Sequence, residues 1–368
     1  EVVGSKPTPG IHTKTRQKQS FDNYHLMLIV NQLFLDMIIF YNYKSMHVIK
    51  KNMTEKNSKL PYDIAKIYKK YLLRDPDREG LIHWINQISN NQISLDELEK
   101  NIKNSPEFEL ANKFKQGFTN TSEGFDLWID PTDEILSRSI VYDKVWEPGT
   151  TKLIKDVIRS GDTGIDLGAN IGYFTVLMAN LVGSSGKIFS FEPEPLNFKI
   201  LQKNVEQNHL ENVVLEQSAV GDTDGKIKLY LSNTNSGWHK VFPTQFVDYE
   251  VSEKNIDVNI CSLDKVFSNQ KIDFIKMDVE GYEWNVIKGG KRILEENHDI
   301  KLIFEFFPTA LRANGVKPDS VLNYLLDAGF HIYVIDENMR LLDFSTDEFC
   351  IRHANYSAMN LFCERAFN

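Results

Sequence analysis

Cysteine is scarce: Cys261, Cys350 and Cys363 are the only three among 368 residues. An odd count with no metal-ligand spacing argues against a disulfide framework or a zinc finger, and reads as ordinary reduced thiols. A basic excess is also missing. Lys and Arg number 42 against 51 Asp and Glu, a net charge of −9, so the electrostatic footprint of a nucleic-acid binder is absent and no nucleic-acid partner is expected. Nor is there an uninterrupted bilayer-length apolar run. The stretch from His25 to Tyr41 is shorter than the ~20 residues a span needs, and Asn31, Gln32 and Asp36 interrupt it. No small-residue cleavage site follows, which argues against a secretory leader. A docked amphipathic helix explains the run, with membrane contact as the alternative. Cytoplasmic residence, with membrane association as the alternative, is the expected location.

The rest is an ordinary globular composition, 42% hydrophobic and 25% charged. The length suggests two domains. Residues 1–59 read as a polar tail and linker around the apolar run, with Met46 and Met53 as alternative starts. Residues 60–116 read as a small all-helical domain. Ile64, Ile67, Tyr68 and Tyr71 line one helix face. Arg74 to Gly80 breaks that helix, and Asp77 can cap the next, which carries Leu81, Trp84, Ile85 and Ile88. Ser94 with Glu97 three residues on is a capping box. Ser105 and Glu107 start a further helix.

Tyr71-Leu72, Arg74-Asp75-Pro76-Asp77, Gly80, Trp84 and Ser105-Pro106-Glu107-Phe108 resemble a bacterial domain of unknown function, which occurs in surface-associated and glycan-processing proteins. That resemblance implies no chemistry. Arg74, Asp75 and Asp77 read first as a self-bonded turn, with a binding site as the other reading.

From 117 to 368 strands and helices alternate, the pattern of a doubly wound α/β domain with a parallel sheet covered on both faces. Strands are expected at GDTGIDLG, KIFSFEP, NVVLEQSAV, DFIKMDV, KLIFEFF and HIYVID, and SAMNLFCER reads as a closing strand. One long helix is expected from Trp284 to Glu296. Between Gly221 and Ser262 the rhythm fails, and such interruptions are where substrate-specific structure is grafted.

Ligands of such folds bind beyond the carboxyl ends of the strands, at the switch point. IDLGANIGYF (165–174) belongs there: Gly168 permits a tight turn, Gly172 a close approach of loop and helix. Glu192 ends the second strand, where a carboxylate can accept bonds from ribose hydroxyls. Asn170 occupies the middle of a G-x-x-x-G spacing that departs from the dinucleotide G-x-G-x-x-G, so a nicotinamide cofactor is disfavoured. S-adenosyl-L-methionine, a nucleoside without phosphate, fits better, with Asp166 placed to meet its amine.

The segment from about Tyr142 to Arg365 resembles the FkbM-family methyltransferases. The resemblance is carried by Trp146-Glu147-Pro148, IDLGANIGYFT, FEPEPLNF, IDFIKMDVEGYEWNVIKGG, LIFEF and MNLFCER. It implies a seven-stranded Rossmann-like methyltransferase fold and O-methyl transfer to a sugar, glycan or secondary metabolite. It also implies cofactor roles for Asp166, Gly168, Asn170, Gly172 and Glu192, for Ser218 and Ala219 on the adenine side, and for Glu147. Methyl transfer from a sulfonium depends on positioning and exclusion of water, and a hydroxyl acceptor still needs a base. Lys276, Asp278 and Glu280 alternate at a strand end and share a face where the strand persists. Asp278 is expected nearest the reaction centre and the cofactor. Glu280 is read either as the base or, with Asp278, as a divalent-metal ligand; no metal site is predicted. Lys276 is read either as catalytic or as a buried structural partner of Asp278 or Glu305. His239 has the chemistry of a base at neutral pH, although a loop histidine is more often simply exposed. Trp238 either stacks on a sugar or anchors its loop. A non-catalytic nucleoside- or glycan-binding protein on the same fold is the alternative function.

Overall fold

The computed structural model describes residues 59–133, 135–232, 237–242, 251–335, 340–341 and 358–365. The apolar run at 25–41, nearly all of the linker and Cys350 lie outside the described residues. No described helix is long and apolar enough to cross a membrane. The chain divides into two units, residues 1–108 and 109–368. The division falls inside the helix Pro106–Gln116, earlier than the boundary expected at 116.

In the first unit, helices Leu60–Leu72, Arg78–Ser89 and Leu95–Lys103 enclose a core centred on Ile64, Leu72, Leu98 and Ile102. Local signals fix their starts. Asp77 accepts a bond from the Gly80 amide at 2.8 Å, and the Ser94–Glu97 capping box is present in both directions. Arg74 donates to the Asp75 carbonyl at 3.1 Å and lies 3.6 Å from Asp77 within the turn, and two bonds to Glu107, of 2.5 and 3.0 Å, tie the turn to a later helix.

The second unit opens with a hairpin, β1 (Phe118–Asn120) and β2 (Asp126–Trp128), too short to register in the sequence pattern. Its main sheet contains β3 (Thr163–Leu167), β4 (Lys187–Phe191), β5 (Val213–Glu216), β9 (Phe274–Met277), β10 (Lys301–Phe306), β11 (Phe330–Val334) and β13 (Met359–Arg365). A two-residue strand, β12 (Arg340–Leu341), extends one edge of these seven. The order is β12-β11-β13-β10-β9-β3-β4-β5. β3, β4, β5, β9 and β10 run parallel, while β13 inserts antiparallel between β10 and β11. Both sheet faces are covered, so Phe274 to Met277 are buried at every position rather than alternately.

Two expectations change. The stretch 212–220 is not one strand: after β5 the chain turns at Ser218, and β6 (Ala219–Val220) joins a separate three-stranded sheet with β7 (Gly225–Ser232) and β8 (Val251–Cys261). This small sheet is the interrupted region, packed through Leu229, Val258, Ile260 and Phe242 against Tyr282, Phe307 and Ala310. The expected helix from Trp284 to Glu296 is two, Glu283–Gly289 and Lys291–Glu296, broken at the Gly289-Gly290 pair, a usual site of kinks.

Candidate active site

The chain leaves β3 for β4 and β5 on one side and returns to β9 and β10 on the other, so the switch point lies between β3 and β9. There Leu167 stands beside Met277, and the Asp278 amide donates to the Leu167 carbonyl at 3.0 Å. The two strand-end loops touch: a Cβ on Gly168, whose φ is +73°, would lie 1.8 Å from the Asp278 carbonyl oxygen. Gly172, at φ +92°, opens the helix Tyr173–Val182, and a Cβ there would meet Leu201 Cδ1 at 2.5 Å. Both glycines permit approaches that any side chain would block.

These loops border a cavity of about 330 Å³. Its wall contains Gly168 and Asn170 from the turn, Glu192 from the end of β4, and Ser218 and Ala219 from the bend before β6. Glu192 is held by backbone: its carboxylate accepts from the Asn170 amide at 2.7 Å and the Glu194 amide at 2.9 Å. Burial pushes its pKa up to about 8 despite those bonds. Asn170 sits at φ +50°, and its Oδ1 is buried with no hydrogen-bond partner among the described residues. Ser218 donates to the Ala219 carbonyl at 2.8 Å. An orphaned acceptor beside a carboxylate with spare lone pairs suits a ligand bearing hydroxyl and amine donors. Gly172 is not among the wall residues and acts through packing of the following helix.

Asp166 lies deeper than the cavity wall. It is fully buried, accepts from Thr175 Oγ1 at 2.6 Å, and is not among the residues lining the cavity. It lies two residues before Gly168 on the same strand, beneath the strand end and level with Lys276 in the neighbouring strand. Its other oxygen, Oδ1, has no hydrogen-bond partner among the described residues. Glu147 does line the cavity; Asn360 on β13 donates to it at 2.8 Å. Burial and the charge of Asp278 raise the Glu147 pKa.

The opposite wall is acidic. Asp278 and Glu280 follow β9, and Glu305 projects from β10. One carboxylate oxygen from each lies within 4.8 Å of the others. All-oxygen sets of this kind can hold a divalent cation, but lysines already meet two of the three. Lys276 Nζ stands 3.2 Å from Asp278 Oδ2 and over the Phe174 ring. Of the two structural partners the sequence left open, Asp278 is the one it takes. Burial pulls the Lys276 pKa down, yet the charges of Asp278, Asp166 and Glu147 outweigh it and leave the lysine firmly protonated. Lys240, which no sequence motif singled out, is only 3% exposed, and its Nζ lies 2.9 Å from Glu280 Oε2. Burial raises the Glu280 pKa to about 7 against the opposing pull of Lys240. Glu305 is raised well above the carboxylate range by burial and by the charges of Glu280 and Asp278; its Oε2 has no hydrogen-bond partner among the described residues.

His239 also lines the cavity, but not as a poised base. Its Nδ1 accepts from the Ser232 amide at 3.0 Å, so a neutral ring carries its proton on Nε2. Burial lowers its pKa to about 4. The ring can donate a hydrogen bond, but its one basic nitrogen is already engaged. Trp238 stands beside it in the wall.

Residues 52–112 match a domain of unknown function, DUF4214. Residues 166–332 match the methyltransferase FkbM domain. Methyltransferase 1 of Beauveria bassiana is 29% identical over 151 residues, covering 36% of this chain and 59% of that protein. The chain therefore spans less than two thirds of that relative's length. The 31-O-demethyl-FK506 methyltransferase FkbM of Streptomyces tacrolimicus is 26% identical over 193 residues, 43% of this chain and 74% of that protein. A SAM-dependent O-methyltransferase structure from Thermotoga maritima overlaps at 18% identity and TM-score 0.36, covering 68% of this chain and 78% of that one. That overlap is too loose to argue from. The segment that matches contains Gly168, Asn170, Glu192, Asp278, Glu280 and Glu305 of the cavity wall, while Glu147 lies before it.

Proposed function

We propose that this protein is an S-adenosyl-L-methionine-dependent O-methyltransferase acting on a hydroxyl of a sugar, glycan or secondary metabolite. The observation that carries the reading is the make-up of the cavity wall: the carboxyl groups of Glu147, Glu192, Asp278, Glu280 and Glu305 face it, with Lys276 as the one lysine among the described lining residues. A pyrophosphate finds a single lysine among carboxyl groups there, whereas a ligand with a sulfonium and an ammonium group favours the ionised form of those carboxyls and is favoured in turn. Glu192 would take the ribose hydroxyls, Asn170 and Glu147 would meet the polar groups of the methionine end, and Ser218 and Ala219 would border the adenine side. When bound, the donor supplies an activated methyl group.

The chain's own residues do the rest. The acceptor hydroxyl must lose its proton as its oxygen gains a carbon, and Glu280, with a pKa near 7, is matched to receive it. Asp278, fixed by Lys276, orients the reacting groups. Trp238 offers a flat apolar face to a sugar ring, and His239 Nε2–H a donor. The name of the Streptomyces relative specifies methyl transfer to 31-O-demethyl-FK506, which supports an oxygen acceptor. The test is transfer of labelled methyl from S-adenosylmethionine to a panel of glycans, lipid-linked sugars and hydroxylated metabolites. Label should appear in base-stable ether linkage on one class and vanish with Glu280→Gln. Binding of the donor with no transfer across the panel would favour the non-catalytic alternative.

A further inference from the structure

The interrupted region reaches the strand-end acids through one side chain. Lys240 lies between β7 and β8, its backbone paired with Tyr230 in both directions, at 2.7 and 3.0 Å. That bridge fixes the stem, and the side chain turns inward, over the Phe307 ring at 4.9 Å, to end on Glu280. Glu280 is equally constrained. It sits in the left-handed region at φ +55°, directly before Gly281 at φ +96°, so its carboxylate is aimed by an uncommon backbone turn. A charged lysine buried this deeply is expensive unless its partner gives something in return.

We propose that Lys240 is a positioning residue that favours the ionised form of Glu280 and aims it at the acceptor, tying the wall that carries Trp238 and His239 to the site of proton removal. This rests on Glu280 being the base. The charges facing Glu280 make the role specific. Asp278 and Lys276 face it from its own strand end, Glu305 from β10, and Glu283 from the following helix. Three of these four are acids, and Lys276 is already paired with Asp278. Among the described residues Lys240 is therefore the cation in direct contact with Glu280, with Lys276 adding a smaller pull.

The test needs no acceptor. Full-length protein with ¹³C-labelled glutamate carboxyls is titrated by NMR, Glu280 being assigned from its loss in Glu280→Gln. The wild-type resonance should titrate near pH 7. In Lys240→Met the midpoint should rise by at least about one pH unit, a tenfold gain in proton affinity. Lys240→Gln, which keeps a donor but no charge, should behave the same, and Lys240→Arg should restore the wild-type midpoint. An unmoved midpoint in either folded neutral variant overturns the proposal. So does Lys240→Arg titrating like Lys240→Met, or failure of both neutral variants to fold, which would make the pair purely structural. Calorimetry of wild-type protein with S-adenosylmethionine runs alongside. A chain that fails to bind the donor sinks the methyltransferase reading but leaves the Lys240 titration to stand or fall alone.

Discussion

At the β3–β4 end of the cavity the functional groups come from one short stretch, Gly168 through Glu192, and backbone amides hold the carboxylate in place. At the β9–β10 end, Asp278 and Glu280, Glu305 and Lys240 arrive from three separate segments, and lysine side chains do the holding. The first end is a local motif, rigid because the chain that makes it is short. The second is a tertiary assembly, open to variation in the insertion that supplies Lys240. A binding step common to many acceptors belongs at the first end, and an acceptor-dependent step at the second.

That contrast breaks most visibly at the acids. Glu280→Gln should cut turnover of a confirmed acceptor by about 10²–10⁴-fold, and Asp278→Asn should fall in the same range, with donor affinity changed little in both. Equal losses in affinity and turnover would erase the distinction between the two ends. Lys276→Met tests the buried scaffold beneath them. It should cost about 3–5 kcal/mol in denaturant unfolding, because Asp278 and Asp166 lose their buried counter-charge. Wild-type stability would mean those acids are neutral in the folded protein.

Glu192→Ala sharpens the comparison from the other side. It removes a carboxyl acceptor and strands the Asn170 and Glu194 amides, a loss of roughly 1.5–3 kcal/mol, or about tenfold or more in donor affinity. Calorimetry on the folded variant checks it. Turnover at saturating donor should stay within a few-fold of wild type.

Protons separate the ends more gently. Glu192, Glu280 and Glu283 hold their protons to about 8, 7 and 8 in the folded protein, against an ordinary 4.5. The folded state thus binds more protons than the unfolded one, so these groups make stability fall as pH rises through that window. His239, lowered from 6.5 to about 4, acts oppositely, but only below 6.5. Between pH 6.5 and 8 the ligand-free protein should therefore lose melting temperature, and Glu192→Gln should flatten that slope. A melting temperature that climbs across this range would contradict the buried-acid account. The smallest effect is expected from the helical unit: a chain starting at Ser105 should bind the donor as the full chain does.

How much of this was readable beforehand follows the same division. Gly168, Asn170 and Glu192 were legible because a tight turn, a helix start and a strand-end acid sit at fixed spacing in one βαβ unit. Asp166 belonged to that motif, yet it lies two residues before the turn, fully buried, bonded to Thr175 and level with Lys276. The cluster of Asp278 and Glu280 was visible as a pattern, but its third acid, Glu305, depended on the parallel pairing of β9 with β10. Lys240 gave no signal, since a lysine in a polar loop is ordinary until the loop folds over Glu280. His239 shows the limit of residue type: the ring was identified, but burial and the Ser232 amide decide its protonation. The hairpin of β1 and β2 escaped because three-residue strands carry no period.

The central claim is that the cavity takes a cationic, phosphate-free nucleoside. The direct measurement is calorimetric titration of the full-length protein with S-adenosylmethionine and, separately, with NAD. Saturable binding of S-adenosylmethionine, weakened about tenfold or more by Glu192→Ala, with no heat from NAD, is the predicted result. Binding of NAD, or of neither nucleoside to the folded protein, would contradict it.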